Sequence, residues 1–380
     1  MERLPGAARR APTGIDQRTT SERPANDGES DDDVTDHGDA LTGPLGADEQ
    51  QRGAQGYGLS VQDIARGFGV IAENVQQVVR GKDEVIDLAL VCLLSEGHLL
   101  VEDVPGTGKT TMARAIAASV RASYHRIQFT PDLLPSDVSG VSIYNQRSQE
   151  FEFHRGPVFA NIVLGDEINR ASPKTQSALL EVMEEHQVTV DGEPHLVPRP
   201  FMVVATQNPI DMDGTYALPE AQLDRFLMRI SMGYPDIDSE IEVMTGRSRH
   251  RRPEDLRAVV DVEQVQAMIA ATEQVHTSPE LQRYVVQVVS ATRSLADARL
   301  GASPRGSIAL LRSARVRAAS QGRDFATPED VKALAVPVLA HRVLLSAEAQ
   351  VRGVTQESLV ERVLDATEVP NGPAPAPVTV

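Results

Sequence analysis

Residues 101–111 read Val-Glu-Asp-Val-Pro-Gly-Thr-Gly-Lys-Thr-Thr. Gly106 and Gly108 would let backbone amides approach phosphate oxygens. Lys109 has the reach for β- and γ-phosphates, and Thr110 offers a hydroxyl to Mg²⁺. Pro105, Thr107 and Thr111 complete the cradle. Such a loop needs a strand leading in and a helix leading out, with the positive end of the helix aimed at the anion. Both are predicted, a strand at 98–102 and a helix at 111–120. The first glycine usual in this loop is replaced by Asp103, so Pro105-Gly106 would have to supply the turn.

Further along, Asn161-Ile162-Val163-Leu164-Gly165-Asp166-Glu167 is an apolar strand ending in two carboxylates. In open α/β sheets, ligands bind at such strand ends. Asp166 would hold Mg²⁺ through water, and Glu167 would orient and polarise an attacking water. A third apolar run, 201–205, leads into Thr206-Gln207-Asn208-Pro209. Asn208 would hydrogen-bond the γ-phosphate or the water, the competing reading being a structural Asn in a turn before proline. Arg225 follows a short predicted helix and could stabilise transition-state charge from across a subunit boundary. The competing role is a salt bridge to Asp224 or Glu220. Arg305, in Ser303-Pro304-Arg305, starts a helix and would fold back onto the phosphates, unless it is an ordinary exposed helix-start arginine. Together these residues point to nucleoside-triphosphate hydrolysis.

The elements that must position them form two blocks. Runs at 98–102, 125–129, 162–164 and 201–205 read as strands separated by helices, which implies a parallel sheet with crossover helices. After Pro235 the strand signals stop, and 239–247, 262–275, 279–296, 307–320 and 328–342 read as helices. The predicted organisation is an acidic disordered arm at 1–56, an α/β nucleotide-binding domain at 57–234, an α-helical domain at 235–368 and a disordered Pro/Ala-rich tail at 369–380.

Composition narrows the function classes. The 380 residues carry 37 Lys+Arg against 54 Asp+Glu, a net charge of −17, of which the first 56 residues hold −6. Trp is absent and aromatics are 4%. Nucleic-acid binding is therefore not expected, since it needs clustered cations and base-stacking rings. The basic run at Arg247, Arg249, Arg251 and Arg252 reads as a solvated loop. A single cysteine, Cys92, excludes an intramolecular disulfide and a Cys-cluster zinc site and fits a reducing, cytoplasmic setting. The longest apolar run, 88–94, is far short of the ~20 residues of a membrane span.

With these residues placed, the chain from about 61 to 364 resembles an AAA+ ATPase, and more narrowly the MoxR family. The stretches that carry the resemblance are 102–110 (EDVPGTGKT), 128–137 (QFTPDLLPSD), 165–171 (GDEINRA), 205–209 (ATQNP) and 218–226 (LPEAQLDRF). Asp103 in the loop is itself similar to MoxR usage. The resemblance implies an AAA+ P-loop three-layer domain followed by an all-α lid. It makes Lys109 and Thr110 the Walker A pair, Asp166 and Glu167 the Walker B pair, Asn208 sensor 1, Arg225 the arginine finger and Arg305 sensor 2, with ATP and Mg²⁺ as cofactors. Residues 143–153 and 188–197 resemble the β-hairpin insertions of the clade, which line a pore or face a partner. Gly81-Lys82 resembles the segment near the adenine. The family further implies a ring, usually hexameric, a chaperone-like or metal-cofactor-insertion role toward a client protein, and a von Willebrand factor A domain partner. An ATP-driven nucleic-acid motor and a non-hydrolysing regulatory switch are the alternatives; intact Glu167 and Arg225 argue against the switch.

Overall fold

The computed structural model describes residues 58–104, 106–208, 215–234, 241 and 252–370. The acidic arm, the C-terminal tail from 371, Pro105, Pro209, the predicted helix at 239–247 (Ile241 apart) and most of the basic run lie outside the described residues.

Helices α1 (Val61–Gln76) and α2 (Asp83–Leu94) precede strand β1 (Leu99–Glu102). Then come α3 (Lys109–Ser119), β2 (Tyr124–Gln128), α4 (Pro135–Ser139), the hairpin β3 (Gly140–Asn145) and β4 (Glu150–Arg155), and β5 (Ile162–Asp166). They are followed by α5 (Pro173–Glu185), the hairpin β6 (Gln187–Val190) and β7 (Glu193–Leu196), β8 (Met202–Gln207), α6 (Glu220–Leu223) and β9 (Met228–Ile230). The helical part contains α7 (Val262–Thr272), α8 (Pro279–Ala291), β10 (Ala298–Leu300), α9 (Pro304–Ser320), α10 (Pro328–Leu339), β11 (Leu344–Leu345), α11 (Ala347–Val351) and α12 (Gln356–Ala366).

The central sheet is parallel throughout, with strand order β2-β5-β8-β1-β9. The inner strands β1, β5 and β8 are apolar on both faces because helices cover both. Leu99, Val101, Ile162, Leu164, Met202 and Val204 enter one core with α1, α2, α3 and the lid helices. Leu100, Val163, Val203 and Ala205 enter the other with Phe129, Leu179 and Phe226. This alternation is the period-two register of a strand in the middle layer of three. The first core runs without a break into the lid, so α1 packs on α9 as well as on α3.

Both hairpins are present. In the second, Asp191 and Gly192 both have positive φ, 52° and 85°, as a two-residue turn matched to strand twist requires. In the first, the side chains of Tyr144 and Phe151 form an exposed ring pair 5.3 Å apart. Phe153 stacks on His195 at 4.3 Å and ties the hairpins together.

Two elements differ from the sequence expectation. Strand β9 is too short, at three residues, to leave an alternation pattern, yet it completes the sheet beside β1. The lid is not purely helical: β10 and β11 form a small antiparallel pair. Helix starts in the lid follow capping chemistry, with Ser303 capping α9 ahead of Pro304 and Thr327 forming a capping box with Asp330 ahead of α10.

The sheet is also pinned at the end opposite the site. Asn161 is buried, accepts from the Ser123 amide at 3.1 Å and hydroxyl at 2.8 Å, and donates to the Pro200 carbonyl at 3.0 Å. It thereby joins the residues that lead into β2, β5 and β8. Asn161→Ala removes these bonds and strands buried polar groups, so urea denaturation of the full chain should show a loss of about 2–3 kcal/mol. A loss under ~0.5 kcal/mol would mean the bonds do not fix the sheet.

Candidate active site

The loop between β1 and α3 needs glycine at two positions. Gly106 and Gly108 have φ of 87° and 93°, a left-handed conformation that a side chain disfavours. Gly108 caps α3 without a side-chain bond, so the first amides of that helix are open to an anion. Lys109 lies back across the loop, its Nζ donating to the carbonyls of Asp103 and Val104 at 2.8 Å each. Burial lowers its pKa, opposed by the charges of Asp103, Asp166 and Glu167.

Asp103, the departure from the usual glycine, is a buried brace. Its carboxylate accepts from the Val104 amide at 2.8 Å, the Gly233 amide at 2.7 Å and the Ser231 hydroxyl at 3.4 Å. The loop is thus tied to the chain leaving β9. Lys82 fastens the same segment by donating to the Tyr234 carbonyl at 2.7 Å.

Because β8 lies between β1 and β5, its C-terminal end separates the phosphate loop from the carboxylates. Thr206 of β8 donates to Asp166 at 2.6 Å and accepts from the Glu167 amide at 2.9 Å. Glu167 itself sits in the left-handed region, φ 57° and ψ 49°, a costly conformation for a residue with a side chain and one that collects at functional sites. Its carboxylate accepts from Gln128 at 3.1 Å and Arg170 at 2.9 Å. The Asn208 carbonyl accepts from Asn169 at 3.3 Å.

These strand ends enclose a cleft of about 390 Å³ lined by Gly106 to Thr111, Asp103, Arg126, Asp166, Glu167, Thr206, Gln207 and Asn208. The structure therefore brings together the described residues of the predicted cradle, both carboxylates and Asn208. Three further lining or contacting residues were not singled out from the sequence. Arg126 pairs with Asp166 at 2.5 Å, Gln128 reaches the Glu167 carboxylate, and Thr206 links the Asp166 carboxylate to the Glu167 amide. Arg126 and Gln128 lie two apart on β2 and share a face, a signal that becomes readable only once β2 is known to lie beside β5.

The donor set suits Mg²⁺. The Thr110 hydroxyl and Asp166 carboxylate are hard oxygen donors in one cleft, the donor type that Mg²⁺ takes. Among the described residues no cluster of three His, Cys, Asp or Glu forms a protein cage for a metal.

Arg225 and Arg305 are elsewhere. Arg225 donates to the Leu180 carbonyl at 2.5 Å and pairs with Glu184 at 2.8 Å; Arg305 reaches the other oxygen of Glu184 at 2.5 Å. Both line a separate cavity of about 210 Å³ that shares no residue with the phosphate cleft. Arg305, expected to fold back onto the phosphates, here rests on Glu184 beside Arg225. Arg225 does not pair with Asp224 or Glu220, which are taken by Arg342 and Arg299. The reason is how the lid is fastened. Ser303 donates to Asp224 at 2.8 Å, and Arg342, almost fully buried, pairs with Asp224 and donates to the Phe226 carbonyl at 2.6 Å. Nothing in local spacing announces Arg342.

The family of the chain follows from this geometry and from its relatives. A family model described as ATPase family associated with various cellular activities (AAA) matches residues 98–228, and an AAA lid domain matches 290–363. The crystal structure of a candidate ATPase from Cytophaga hutchinsonii superposes with a TM-score of 0.76 at 38% identity, over 82% of this chain and 97% of that one. The fold is that of an AAA+ ATPase. Chaperone MoxR1 of Mycobacterium tuberculosis is 41% identical over 84% of this chain and 85% of its own length. The uncharacterized protein YeaC of Bacillus subtilis is 47% identical over 81% and 97%. The chain belongs to the MoxR family of AAA+ ATPases. No helix among the described residues is long and apolar enough to cross a membrane.

The Thr206 link gives a direct test. Thr206→Val keeps the shape of this buried side chain and removes its hydroxyl, so Asp166 and the Glu167 amide lose their common partner. ATP turnover should fall about tenfold or more while nucleotide affinity stays within about threefold, as expected when an interaction orients the reacting groups. Unchanged turnover would show that the link is only structural.

Proposed function

We propose that this chain hydrolyses ATP with Mg²⁺ as a subunit of a ring, most simply a hexamer, and uses turnover to remodel or mature a client protein. The observation that carries the reading is the division of the catalytic set between two places. The cleft gathers the loop, Lys109, Thr110, Asp166, Glu167 and Asn208, while Arg225 and Arg305 stand together on Glu184 outside it. An arginine finger that cannot serve its own cleft serves a neighbour's, and a head-to-tail ring is the closed assembly that gives every cleft one.

In this reading the loop amides and Lys109 hold the β- and γ-phosphates. Thr110 and Asp166 would hold Mg²⁺, which would offset the charge that develops on the phosphoryl group. Glu167, turned toward the cleft by its left-handed backbone, orients the attacking water and draws on its proton. Asn208 fixes the γ-phosphate or that water. Arg225, with Arg305 beside it, stabilises charge on the phosphoryl group bound by the adjacent subunit. The division into a nucleotide domain at 57–234 and a lid at 235–368 lets the lid carry Arg305 to that boundary.

The client role draws on the relative named as a chaperone. The exposed Tyr144–Phe151 pair at the end of a hairpin offers an apolar contact for a polypeptide. Metal-cofactor insertion and a von Willebrand factor A domain partner are the finer forms of this proposal. A cytoplasmic location accords with the single, buried, unpaired Cys92.

Glu167→Gln should lower ATP turnover by about a hundredfold or more and leave nucleotide affinity within about threefold of wild type. Turnover that survives the change contradicts the role given to Glu167. Held in ATP, the same variant should retain a protein partner on affinity capture. Recovery of nucleic acid without protein would favour a motor instead.

A further inference from the structure

Both carboxylate oxygens of Asp166 have partners within the chain. One carboxylate oxygen accepts from Thr206 at 2.6 Å, and the other from the guanidinium of Arg126 at 2.5 Å. Arg126 also donates to Gln128 at 2.6 Å, and Gln128 donates to Glu167 at 3.1 Å. A positive group on β2 therefore stands against the same carboxylate that the nucleotide reading gives to Mg²⁺. It lines the phosphate cleft together with Lys109. The Arg126 side chain is 47% exposed, on an edge strand of the sheet, so packing does not lock it there.

We propose that Arg126 is a resident counter-cation of the cleft. It neutralises Asp166 while no divalent ion is bound and yields that carboxylate to Mg²⁺ when the metal enters with nucleotide. The inference rests on the reading of this cleft as a Mg²⁺–nucleotide site and adds a residue to it.

The electrostatics give a paired signature. Without the guanidinium, Asp166 keeps only a neutral hydroxyl partner. In the absence of metal, an incoming polyphosphate then meets an uncompensated carboxylate and binds more weakly. In the presence of metal, Mg²⁺ has no cation to displace and takes the site at lower concentration. An ordinary surface ion pair would move neither quantity selectively.

The test uses the full chain and a fluorescent ADP analogue as probe, titrated in EDTA and in saturating Mg²⁺, with a separate Mg²⁺ titration. In Arg126→Met the dissociation constant in EDTA should rise about threefold to tenfold, and the half-saturating Mg²⁺ concentration should fall about threefold, the scale of one partly exposed charge pair. The ratio of the EDTA and Mg²⁺ constants therefore rises. Arg126→Lys should restore most of both effects. Arg126→Gln carries the same prediction as the Met variant if that one fails to fold. A ratio unchanged within about twofold, or a fall, overturns the inference. Wild-type protein that binds no probe in either condition overturns the nucleotide-site reading itself, a different failure.

Discussion

The buried ion pair between Asp224 and Arg342 is the interaction on which the layout of the site depends. Every nitrogen of the Arg342 guanidinium is committed: one to the Val338 carbonyl, one to Asp224 through its carboxylate and carbonyl, one to the Phe226 carbonyl. A charge this deeply buried is tolerable only when paired and fully hydrogen-bonded, and losing either partner would leave the other stranded. The pair fastens the lid to the chain on either side of Arg225. Ser303 adds a second fastening, so the start of α9 has little freedom. Arg305 is carried to Glu184 as a consequence, and the two arginines become one cationic unit outside the cleft.

Inside the cleft the organising constraint is different. The Lys109 ammonium must stand near carboxylates without pairing with them, because it is needed for a ligand. Lys109 is held by carbonyls of its own loop, Asp103 is spent on backbone amides and a hydroxyl, and the Thr206 hydroxyl ties the Asp166 carboxylate to the Glu167 amide. Position in the sheet makes this possible. With β8 between β1 and β5, Thr206 at its end bonds the Asp166 carboxylate and the Glu167 amide, while Gln207 bonds Glu102 on the other side at 3.0 Å. The left-handed backbone at Glu167 is the strain that accompanies this placement.

Much of this was legible in the sequence, for a physical reason. The phosphate loop, the strand ending in Asp166-Glu167 and the strand ending near Asn208 are contiguous segments in which the functional residue follows directly on an apolar run, so pattern and position coincide. The Asp191-Gly192 turn was readable for the same reason. What escaped depends on neighbours distant in sequence. Arg126 and Gln128 matter because β2 lies beside β5, and Thr206 matters because β8 lies between two other strands. Glu184 collects Arg225 and Arg305 only after α5, the chain after α6 and the lid have packed. The contact of Arg305 with Glu184 is not readable from its helix-start motif, which fixes only a local conformation, whereas Arg342, distant in sequence, ties the same region to Asp224. The β9 strand was missed because three residues carry no periodicity.

The central claim is that the cleft of one subunit is completed by the arginine pair of the next. Mixing two inactive variants tests it. Lys109→Ala empties a subunit's own cleft and keeps its arginine; Arg225→Ala does the reverse. If the arginine acts across a head-to-tail interface, an equimolar mixture recovers about a quarter of wild-type ATP turnover, the share of interfaces at which an intact cleft meets an intact arginine. If the mixture is no more active than the two variants alone, Arg225 does not serve a neighbour and the account fails.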